Sequence, residues 1–306
     1  MRPVKKIVVP AESVVDNQDG KRRWGTDQRL EFIEFRLFWE GGVNRSDITN
    51  YFGVSIPQAS NDLSQYKELA PDNIQYDASE KRYLPTANFR PRFMKPSADR
   101  YLSQLKAVAD GVVTRNETLI ESLPSVDSMP IPGRRIEPAT LKGLLAAIRS
   151  NRSVEIHYQS MSPTRPEPIW RRITPHAFGH DGLRWHTRAF CHIEKKFKDF
   201  IVSRCRDIRA EGEPGARPSD DKQWHTLFEI ILKPNPALTP SQQQTIALDY
   251  QMTDGRAVLP MRCALLYYFE KRLRLDMEPG KDRPAEKPVV IENWKEFVRA
   301  RDAAMA

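Results

Sequence analysis

Residues 44–67 read NRSDITNYFGVSIPQASNDLSQYK, and this stretch decides the fold of the N-terminal part of the chain. Asn44 stands before a short helical pattern as a cap, and Gly53 permits the tight turn that follows it. Ser55 then caps a second helix, with Gln58 three residues later as in a capping box. Two short helices joined by a glycine turn predict a helix–turn–helix.

The second helix of this motif has an apolar face and a polar face. Its inner face is expected to comprise Ile56, Ala59, Leu63 and Tyr66. The opposite face carries amides and hydroxyls, which can pair with base edges or hold phosphate. Together with candidate phosphate contacts of the first helix and the following hairpin, the predicted DNA-binding residues are Arg45, Ser46, Ser55, Gln58, Ser60, Asn61, Ser64, Gln65, Lys67, Lys81 and Arg82. A solvated face on a protein-contact module is the alternative interpretation.

The sequence on either side of the motif completes a winged helix. An amphipathic helix capped by Thr26 precedes it, and strand-like stretches at 74–76 and 82–84 flank a polar turn after it. Helix, helix, turn, helix and hairpin is the order of elements in a winged helix. We therefore predict a winged helix–turn–helix domain over residues 26–90, preceded by a flexible arm over residues 1–25.

The positive charge of the chain is confined to its middle. The 306 residues include 48 Lys+Arg and 40 Asp+Glu, a net charge of +8. Residues 131–210 alone hold 16 basic and 7 acidic side chains, whereas residues 1–130 are neutral and residues 211–306 carry −1. An anionic ligand is therefore sought in the middle segment. No apolar run reaches the roughly 18 residues of a membrane span, and the three cysteines form no C-x-x-C pair, so we expect a soluble cytoplasmic protein.

Two further domains are predicted after a helical linker over residues 91–136. A capped helix and short strands with period-two alternation indicate a small SH3-like or Sm-like β-barrel over residues 137–210. After a Gly/Pro-rich break, strands and helices alternate over residues 223–306, which predicts a compact α+β module of ferredoxin-like type, assigned to dimerisation or extension. The predicted fold class is therefore α+β and multidomain.

One strand of the predicted barrel concentrates cations on one face. Over residues 183–191 two arginines and a histidine alternate with apolar positions, and Trp185 is expected in the core. Such cations need an anionic or aromatic partner. The predicted ligand-binding residues, which would form a cationic pocket for phosphate groups, are Tyr158, Ser160, Arg184, His186, Arg188, Phe190, Ser203, Arg204 and Arg206. The alternative is a basic surface that contacts the acidic C-terminal module or the DNA backbone.

These motifs resemble the WYL family. Residues 185–191 read WHTRAFC and residues 200–204 read FIVSR, which look like the core of a WYL domain. With the winged helix before it and the α+β extension after it, the resemblance covers residues 26–290. His186 and Thr187 replace the tyrosine and leucine of the naming tripeptide. The Trp-His-x-Arg-Ala form is similar to that of repressors found beside anti-phage loci of the BREX and CBASS types.

The resemblance implies a bacterial transcription regulator. Members of this family are commonly homodimers whose middle domain is thought to sense a ligand, often nucleic acid or a nucleotide. We therefore expect a homodimeric repressor that binds an inverted-repeat operator in double-stranded DNA, associates with the nucleoid, responds to an anionic ligand and controls a phage-defence locus. No cofactor is expected.

Two other classes of function are weighed against this one. Five of the six histidines lie in the middle segment near Cys191 and Cys205, but no C-x-x-C or helical H-x-x-x-H spacing supports a metal site, so none is expected. No G-x-S-x-G, H-E-x-x-H or phosphate-cradling glycine loop is present, so no catalytic residues are assigned. A nuclease that positions phosphate in the cationic pocket and a non-catalytic interaction scaffold stay open as alternatives.

Overall fold

The computed structural model describes residues 18–130, 132–163, 165–275 and 284–305. The chain divides into two compact units, Met1–Pro130 and Ile131–Ala306. Of the predicted arm, residues 1–17 lie outside the described residues. In the described part of the chain, no helix combines the length and apolarity needed to cross a bilayer.

The described residues of the first unit form four α-helices and a hairpin. Its elements are α1 (Gln18–Trp39), α2 (Arg45–Phe52), α3 (Ile56–Leu69), β1 (Ile74–Asp77), β2 (Arg82–Pro85) and α4 (Ala98–Ala109). β1 and β2 form an antiparallel hairpin, so the order confirms the predicted winged helix. The cap predicted at Thr26 is wrong, because α1 begins at Gln18 and runs through this position. Gln, Lys and Arg are good helix formers, so the polar stretch before Thr26 extends the helix.

Local capping interactions form the helix–turn–helix. Asn44 caps α2 in a capping box with Asp47, and Gly53 ends the helix in the left-handed region at φ 65°. The Ser55 side chain accepts a hydrogen bond from the backbone N–H of Gln58 and caps α3. The buried residues of the three helices pack into one core, which contains Leu30, Ile33, Leu37, Ile48, Leu63 and Tyr66.

A buried carboxylate attaches the chain after the wing to α1. Glu34 is fully buried and accepts hydrogen bonds from the backbone N–H groups of Arg92, Phe93 and Met94 at 2.7–2.9 Å. It also accepts one from the Tyr66 hydroxyl at 3.1 Å. Because all these donors are satisfied by one side chain, Glu34 fixes where the chain leaves the winged helix.

The second unit begins with a helix and a five-stranded antiparallel sheet. Its elements are α5 (Pro138–Ser150), β3 (Ser153–Tyr158), β4 (Ile169–His180), β5 (Trp185–Cys191), β6 (Lys196–Ile201) and β7 (Cys205–Gly212). The strand order is β6-β5-β4-β3-β7, so the last strand returns beside the first, as in the predicted Sm-like barrel. The strand predicted at residues 200–204 ends earlier, because Val202–Arg204 forms a 3₁₀ turn before β7.

A smaller α+β module completes the second unit. Its elements are α6 (Lys222–His225), β8 (Leu227–Pro234), α7 (Pro240–Asp249), β9 (Ala257–Arg262), α8 (Leu266–Arg272), β10 (Val289–Ile291) and α9 (Trp294–Met305). The antiparallel sheet has the order β10-β8-β9. This confirms the α+β class. The described residues hold three of the four strands that a complete ferredoxin-like sheet contains.

Candidate nucleic-acid interface and ligand site

The outward face of α3 carries free amide and hydroxyl groups. Asn61, Ser64, Gln65 and Lys67 are exposed. Among the described residues, none of these four side chains has a hydrogen-bond or ion-pair partner. An exposed amide without an internal partner can contact a base edge without first breaking a hydrogen bond in the protein. This face is therefore chemically suited to base contacts.

Three of the predicted DNA-binding side chains on α3 are used inside the helix. The Ser55 hydroxyl accepts from the Gln58 backbone at 3.3 Å, and the Ser60 hydroxyl donates to the Ile56 carbonyl at 3.0 Å. The Gln58 amide donates to Asp62 at 3.0 Å and does not return to the cap, so only half of the predicted capping box forms.

The Asp62 side chain points from α3 towards α1 and pairs with an arginine there. It is 1% exposed, and its carboxylate accepts from Arg29 Nε at 2.7 Å and Nη2 at 3.2 Å. A bidentate guanidinium pair neutralises the carboxylate and fixes its direction. The face that bears the amides is therefore relieved of a negative charge that would repel phosphate.

The predicted phosphate contacts have different surroundings. Arg45 and Ser46 are exposed at the start of α2, and Lys81 is exposed at the tip of the hairpin with φ 52°. Arg82 is half-buried: its guanidinium packs against Gly42, where an added Cβ would lie 2.5 Å from Nε, and that Nε is buried. Its contact with phosphate stays a prediction.

The predicted ligand-binding residues lie on two faces of the barrel sheet. Cross-strand neighbours share a face, and Ala189 and Cys191 of β5 belong to the barrel core together with Tyr158. The alternation of β5 therefore directs His186, Arg188 and Phe190 to the opposite, outer face. The single cationic pocket predicted from sequence does not form, because the barrel wall separates Tyr158 from these side chains.

The outer-face arginine of β5 forms a buried ion-pair network. Arg188 donates from Nε and Nη2 to Asp221 at 2.7 and 3.1 Å, and its Nη1 lies 3.4 Å from Asp199. His176 Nε2 lies 3.0 Å from the same Asp221 carboxylate, and the Tyr268 hydroxyl donates to Asp199 at 3.1 Å. Arg188 and Asp221 are 4% and 1% exposed. The arginine therefore pairs with carboxylates of its own chain, Asp199 in β6 and Asp221 just before α6.

The carboxylates of this network respond differently to their surroundings. Burial alone would raise the pKa of Asp221, but hydrogen bonds from His176 and Arg188 outweigh it and hold that pKa well below its usual range. Burial dominates at Asp199 and raises its pKa, although Arg188 and Tyr268 oppose this. Burial also raises the pKa of Tyr268.

The other two basic side chains predicted for this face also have partners. His186 Nε2 lies 2.9 Å from Asp181, and Arg184 Nε donates to the same carboxylate at 2.8 Å. Burial would raise the pKa of Asp181, yet the hydrogen bonds from His186, the backbone of Leu183 and Arg184 lower it. Both side chains are therefore withdrawn from the predicted anion pocket.

The aromatic residues of β5 also differ from expectation. Trp185 is 52% exposed and its ring contacts that of His180 at a tilt of 47°, with ring centroids 4.7 Å apart, so its prediction as a core residue is wrong. It is the first residue of β5, at the edge of the barrel core. Phe190 contacts the rings of His192 and Phe197 on the outer face.

A different set of cations lies on the inner side of the barrel. Arg171 of β4 is 4% exposed, and its guanidinium carbon lies 5.8 and 5.6 Å from the ring centres of Tyr158 and Phe200. Its Nη1 is 3.8 Å from Glu194. Within the described residues its Nε and Nη2 are buried and donate to no partner. A buried cationic donor without an acceptor is costly, which makes Arg171 a candidate anion ligand.

Glu194 forms ion pairs with two further basic side chains beside Arg171. Arg165 Nη1 and Lys198 Nζ lie 2.6 and 2.5 Å from its two oxygens. Burial would raise the pKa of Glu194, but the hydrogen bonds and charges of Lys198 and Arg165 lower it to about 2. This group, named here the barrel-mouth site, comprises Tyr158, Arg165, Arg171, Glu194, Lys198 and Arg204.

The remaining predicted ligand residues lie near this group. Burial raises the pKa of the Tyr158 hydroxyl, and the positive charge of Arg204 opposes this shift. The Arg204 carbonyl accepts from the backbone of Gln159 at 3.2 Å. Ser203 precedes it in the 3₁₀ turn, and Arg206 Nη2 is 3.5 Å from Gln159 Oε1. Ser160 follows β3, and its hydroxyl accepts from the backbone of Ser162 at 3.1 Å.

Sequence reasoning missed Arg171, Arg165 and Lys198. The alternation of side chains along β4 could have identified Arg171. It stands two residues before the core residue Ile173, so both side chains point to the inner face of the sheet. No local signal identifies Asp199 and Asp221 as partners of Arg188, since the pairs span 11 and 33 residues.

The described residues contain no cluster of three or more His, Cys, Asp and Glu side chains placed to hold a metal ion. Cys191, Cys205 and Cys263 are free and buried. Burial raises the pKa of Cys205 to about 12, so its thiol stays protonated at neutral pH.

One face of the three-stranded sheet of the C-terminal module exposes apolar side chains. The register of β8, β9 and β10 places Phe228, Ile230 and Leu232 on the core side with Phe297. The opposite side, called the outer sheet face, comprises Leu227, Glu229, Ile231, Lys233, Val258, Pro260, Arg262 and Val290. Leu227 and Val258 are 58% and 53% exposed. An apolar strip between charged residues is typical of a contact surface.

A winged helix followed by a small β-barrel and an α+β extension is the architecture of a WYL-domain transcription regulator. Family models match the three parts in turn: the BrxR transcriptional regulator winged helix-turn-helix domain at residues 25–107, the WYL domain at 139–210, and the BrxR C-terminal dimerization domain at 227–297. The chain belongs to the CapW family of DNA-binding transcriptional repressors, as its relatives show.

Three curated relatives carry the description DNA-binding transcriptional repressor CapW. That of Stenotrophomonas maltophilia is 41% identical over 279 residues, which is 90% of this chain and 92% of the relative. That of Escherichia coli (strain KTE188) is 40% identical over 284 residues, covering 92% and 94%. That of Pseudomonas aeruginosa is 37% identical over 275 residues, covering 90% and 91%.

Among solved structures, the proteasome accessory factor B/C (PafBC) of Arthrobacter aurescens matches with a TM-score of 0.24 and 15% identity. The match covers 92% of this chain and 48% of that chain. A likeness this distant carries no argument about function.

Proposed function

We propose that this chain is a homodimeric, non-enzymatic transcriptional repressor of the cytoplasm and nucleoid. It binds an inverted-repeat operator through α3 and is regulated by an anionic ligand, a nucleotide or nucleic acid, at the barrel-mouth site. The locus it controls is a phage-defence locus, as the resemblance to repressors of such loci implies. The observation that carries the proposal is the outward face of α3, where free amides stand beside a carboxylate neutralised by α1.

The DNA contact rests on the chemistry of this face. Asn61 and Gln65 have the amide groups that pair bidentately with adenine, and Ser64 lies between them. Lys67, Arg45 and Lys81 supply exposed cations for phosphate. Because one winged helix offers few such cations, a single copy binds weakly, and joining two copies raises the affinity for a two-part operator.

The outer sheet face supports self-association. Its matched family model is described as a dimerization domain, and its apolar centre at Leu227 and Val258 is exposed. Glu229 and Lys233 give the strip opposite charges along one strand. A two-fold contact is self-complementary, so a surface that carries both signs can pair with a second copy of itself.

The barrel-mouth site supports anion binding. Arg171 has two buried donors without a partner in the described part of the chain, and its guanidinium lies over the buried rings of Tyr158 and Phe200. Phosphate accepts bidentate hydrogen bonds from guanidinium. The phosphate groups of a nucleotide or of a short single strand supply the acceptors for such bonds. A nuclease would need carboxylates that hold metal ions, whereas Glu194 is already paired with Arg165 and Lys198.

The DNA-binding part is tested by fluorescence anisotropy on the duplex upstream of the coding region, with scrambled duplex as reference. Asn61→Ala and Gln65→Ala should each weaken specific binding about ten-fold or more, because a bidentate base contact contributes about 1–3 kcal/mol. Asn116→Ala, an exposed asparagine in another element, is the matched control and should bind as wild type. Unchanged affinity of both α3 variants would remove the recognition-face assignment.

The dimer is tested by sedimentation equilibrium. A charge introduced by Val258→Asp lies inside the outer sheet face and should produce a monomer, whereas Leu248→Asp changes a leucine of α7 that is 73% exposed and should leave the dimer intact. A dimeric Val258→Asp protein would place the interface elsewhere. A monomeric wild type would contradict the homodimer itself.

The ligand site is tested by calorimetric titration of the full chain with ATP and with a short single-stranded oligonucleotide. Arg171→Met and Arg204→Ala should lose binding, and Arg209→Ala, a surface arginine of the same domain, should retain it. Binding to a folded Arg171→Met variant with wild-type affinity would exclude the barrel-mouth site. A ligand that binds at this site without releasing operator DNA would contradict the proposed regulation but not the binding site.

A further inference from the structure

The first turn of α3 has an apolar surface that its sequence pattern did not predict. Ile56 was expected on the inner face, but its side chain is 64% exposed. The buried residues of α3 are Ala59, Asp62, Leu63 and Tyr66, so the buried stripe begins one turn after the helix does. Pro57, next to Ile56, is exposed as well.

The second turn continues this apolar surface for a short distance. Ser60 lies four residues after Ile56 on the same side, and its hydroxyl donates inward to the Ile56 carbonyl. The side chain therefore turns its donor away from solvent. The free polar groups begin at Asn61. The exposed surface of α3 is thus apolar at its N-terminal end and amide-rich in its second and third turns.

We propose that Ile56 is a specificity-determining residue that contacts a thymine methyl group in the major groove. This inference rests on the proposed function, since it requires α3 to enter the operator. The 5-methyl group of thymine is the apolar group that bases display in the major groove. In a helix–turn–helix, the N-terminal residues of the recognition helix contact base edges, and Ile56 is the first residue of α3.

The spacing along α3 predicts the sequence that is recognised. Ile56 and Asn61 are separated by five residues, or about 7.5 Å of helix rise, which corresponds to about two base steps along one strand. We therefore expect each half-site to contain a thymine about two base pairs from the adenine that an amide of α3 contacts. Single exposed apolar residues are common on protein surfaces, so the methyl group itself must be tested.

The experiment replaces operator thymines by deoxyuridine one at a time, which removes the methyl group and leaves all hydrogen-bonding groups in place. Anisotropy titration of the wild-type full chain should show about four-fold weaker binding at one thymine in each half-site, from the transfer free energy of one methyl-sized group. Replacing both symmetry-related thymines should weaken binding about fifteen-fold.

Two variants assign the effect to Ile56. Ile56→Ala should bind the thymine and deoxyuridine operators equally, whereas Asn61→Ala should bind both more weakly but keep the four-fold difference between them. Because Ile56 is exposed, Ile56→Ala should unfold at the wild-type temperature, which excludes a folding defect.

The outcomes separate the two proposals. Specific binding that no deoxyuridine substitution weakens would overturn the methyl contact and leave the repressor in place. A deoxyuridine effect that persists in Ile56→Ala would overturn the assignment to this residue. Absence of any preference over scrambled duplex would instead contradict the proposed function.

Discussion

Replacement of Arg188 by methionine should destabilise the second unit strongly. Methionine keeps most of the length of the side chain but removes the guanidinium that bonds Asp221 twice and approaches Asp199. Both aspartates are then left without their cation in a site where Asp221 is 1% exposed. Removing one member of a buried ion pair costs about 3–5 kcal/mol, mainly because the other charge stays buried without compensation.

A second substitution should recover part of this loss. In the Arg188→Met, Asp221→Asn double variant, the carboxylate that lost its cation is also removed. Replacing both members of a buried pair is often close to neutral. We expect the double variant to regain about half of the lost free energy of unfolding, because Asp199 keeps the Tyr268 hydroxyl as its donor.

The assay is urea unfolding of the full chain followed by hydrogen exchange of the β5 amides, which reports on the second unit alone. Arg209→Met is the matched control, since the Arg209 side chain is 55% exposed in its pair with Glu155 and should contribute less than about 1 kcal/mol. If Arg188→Met unfolds within 1 kcal/mol of wild type, the network does not hold the barrel to the C-terminal segment.

Three further predictions concern substitutions of single carboxylates. Glu34→Gln should lower the free energy of unfolding of the first unit by about 2–3 kcal/mol, because its amide would face backbone N–H donors; thermal unfolding followed by circular dichroism measures this. Glu194→Gln should raise the affinity for ATP several-fold by freeing Arg171, Arg165 and Lys198, and calorimetric titration would show no gain if that carboxylate does not compete. The pKa of Asp221 is lower in the folded protein than its unfolded value of about 3.9, so ionised Asp221 stabilises the fold fully above about pH 4 and loses this effect as the pH falls further. Acid unfolding of Asp221→Asn should lack this part of the pH dependence. Equal slopes of unfolding free energy against pH for the variant and the wild type would contradict the prediction.

The elements predicted with success are those formed by local interactions. The cap at Asn44, the left-handed Gly53 and the cap at Ser55 act over three or four residues, so the sequence contains everything needed to place α2, the turn and α3. The exposure of Ile56 was missed for a different reason. Helical periodicity gives the direction of a side chain but not how far the neighbouring helices extend to cover it.

The charge arrangement shows the same limit. Sequence alone located the excess of cations in the middle segment and the alternation of β5, because both depend on composition and strand parity. It did not distinguish free cations from paired ones. Arg188 meets Asp221 across 33 residues, and Asp62 meets Arg29 across the same separation, so their neutralisation depends on how distant segments pack.

The sequence by itself therefore determined the order of elements, the helix–turn–helix and the location of the positive charge. These properties follow from capping, periodicity and composition, which act within a few residues. Packing settled which side chains remain available to a ligand: it paired Arg188 and His186 with aspartates and left Arg171 with buried donors that have no partner among the described residues. The reason is that a charge is satisfied by whatever packing brings within about 3 Å, and packing joins residues that are far apart along the chain.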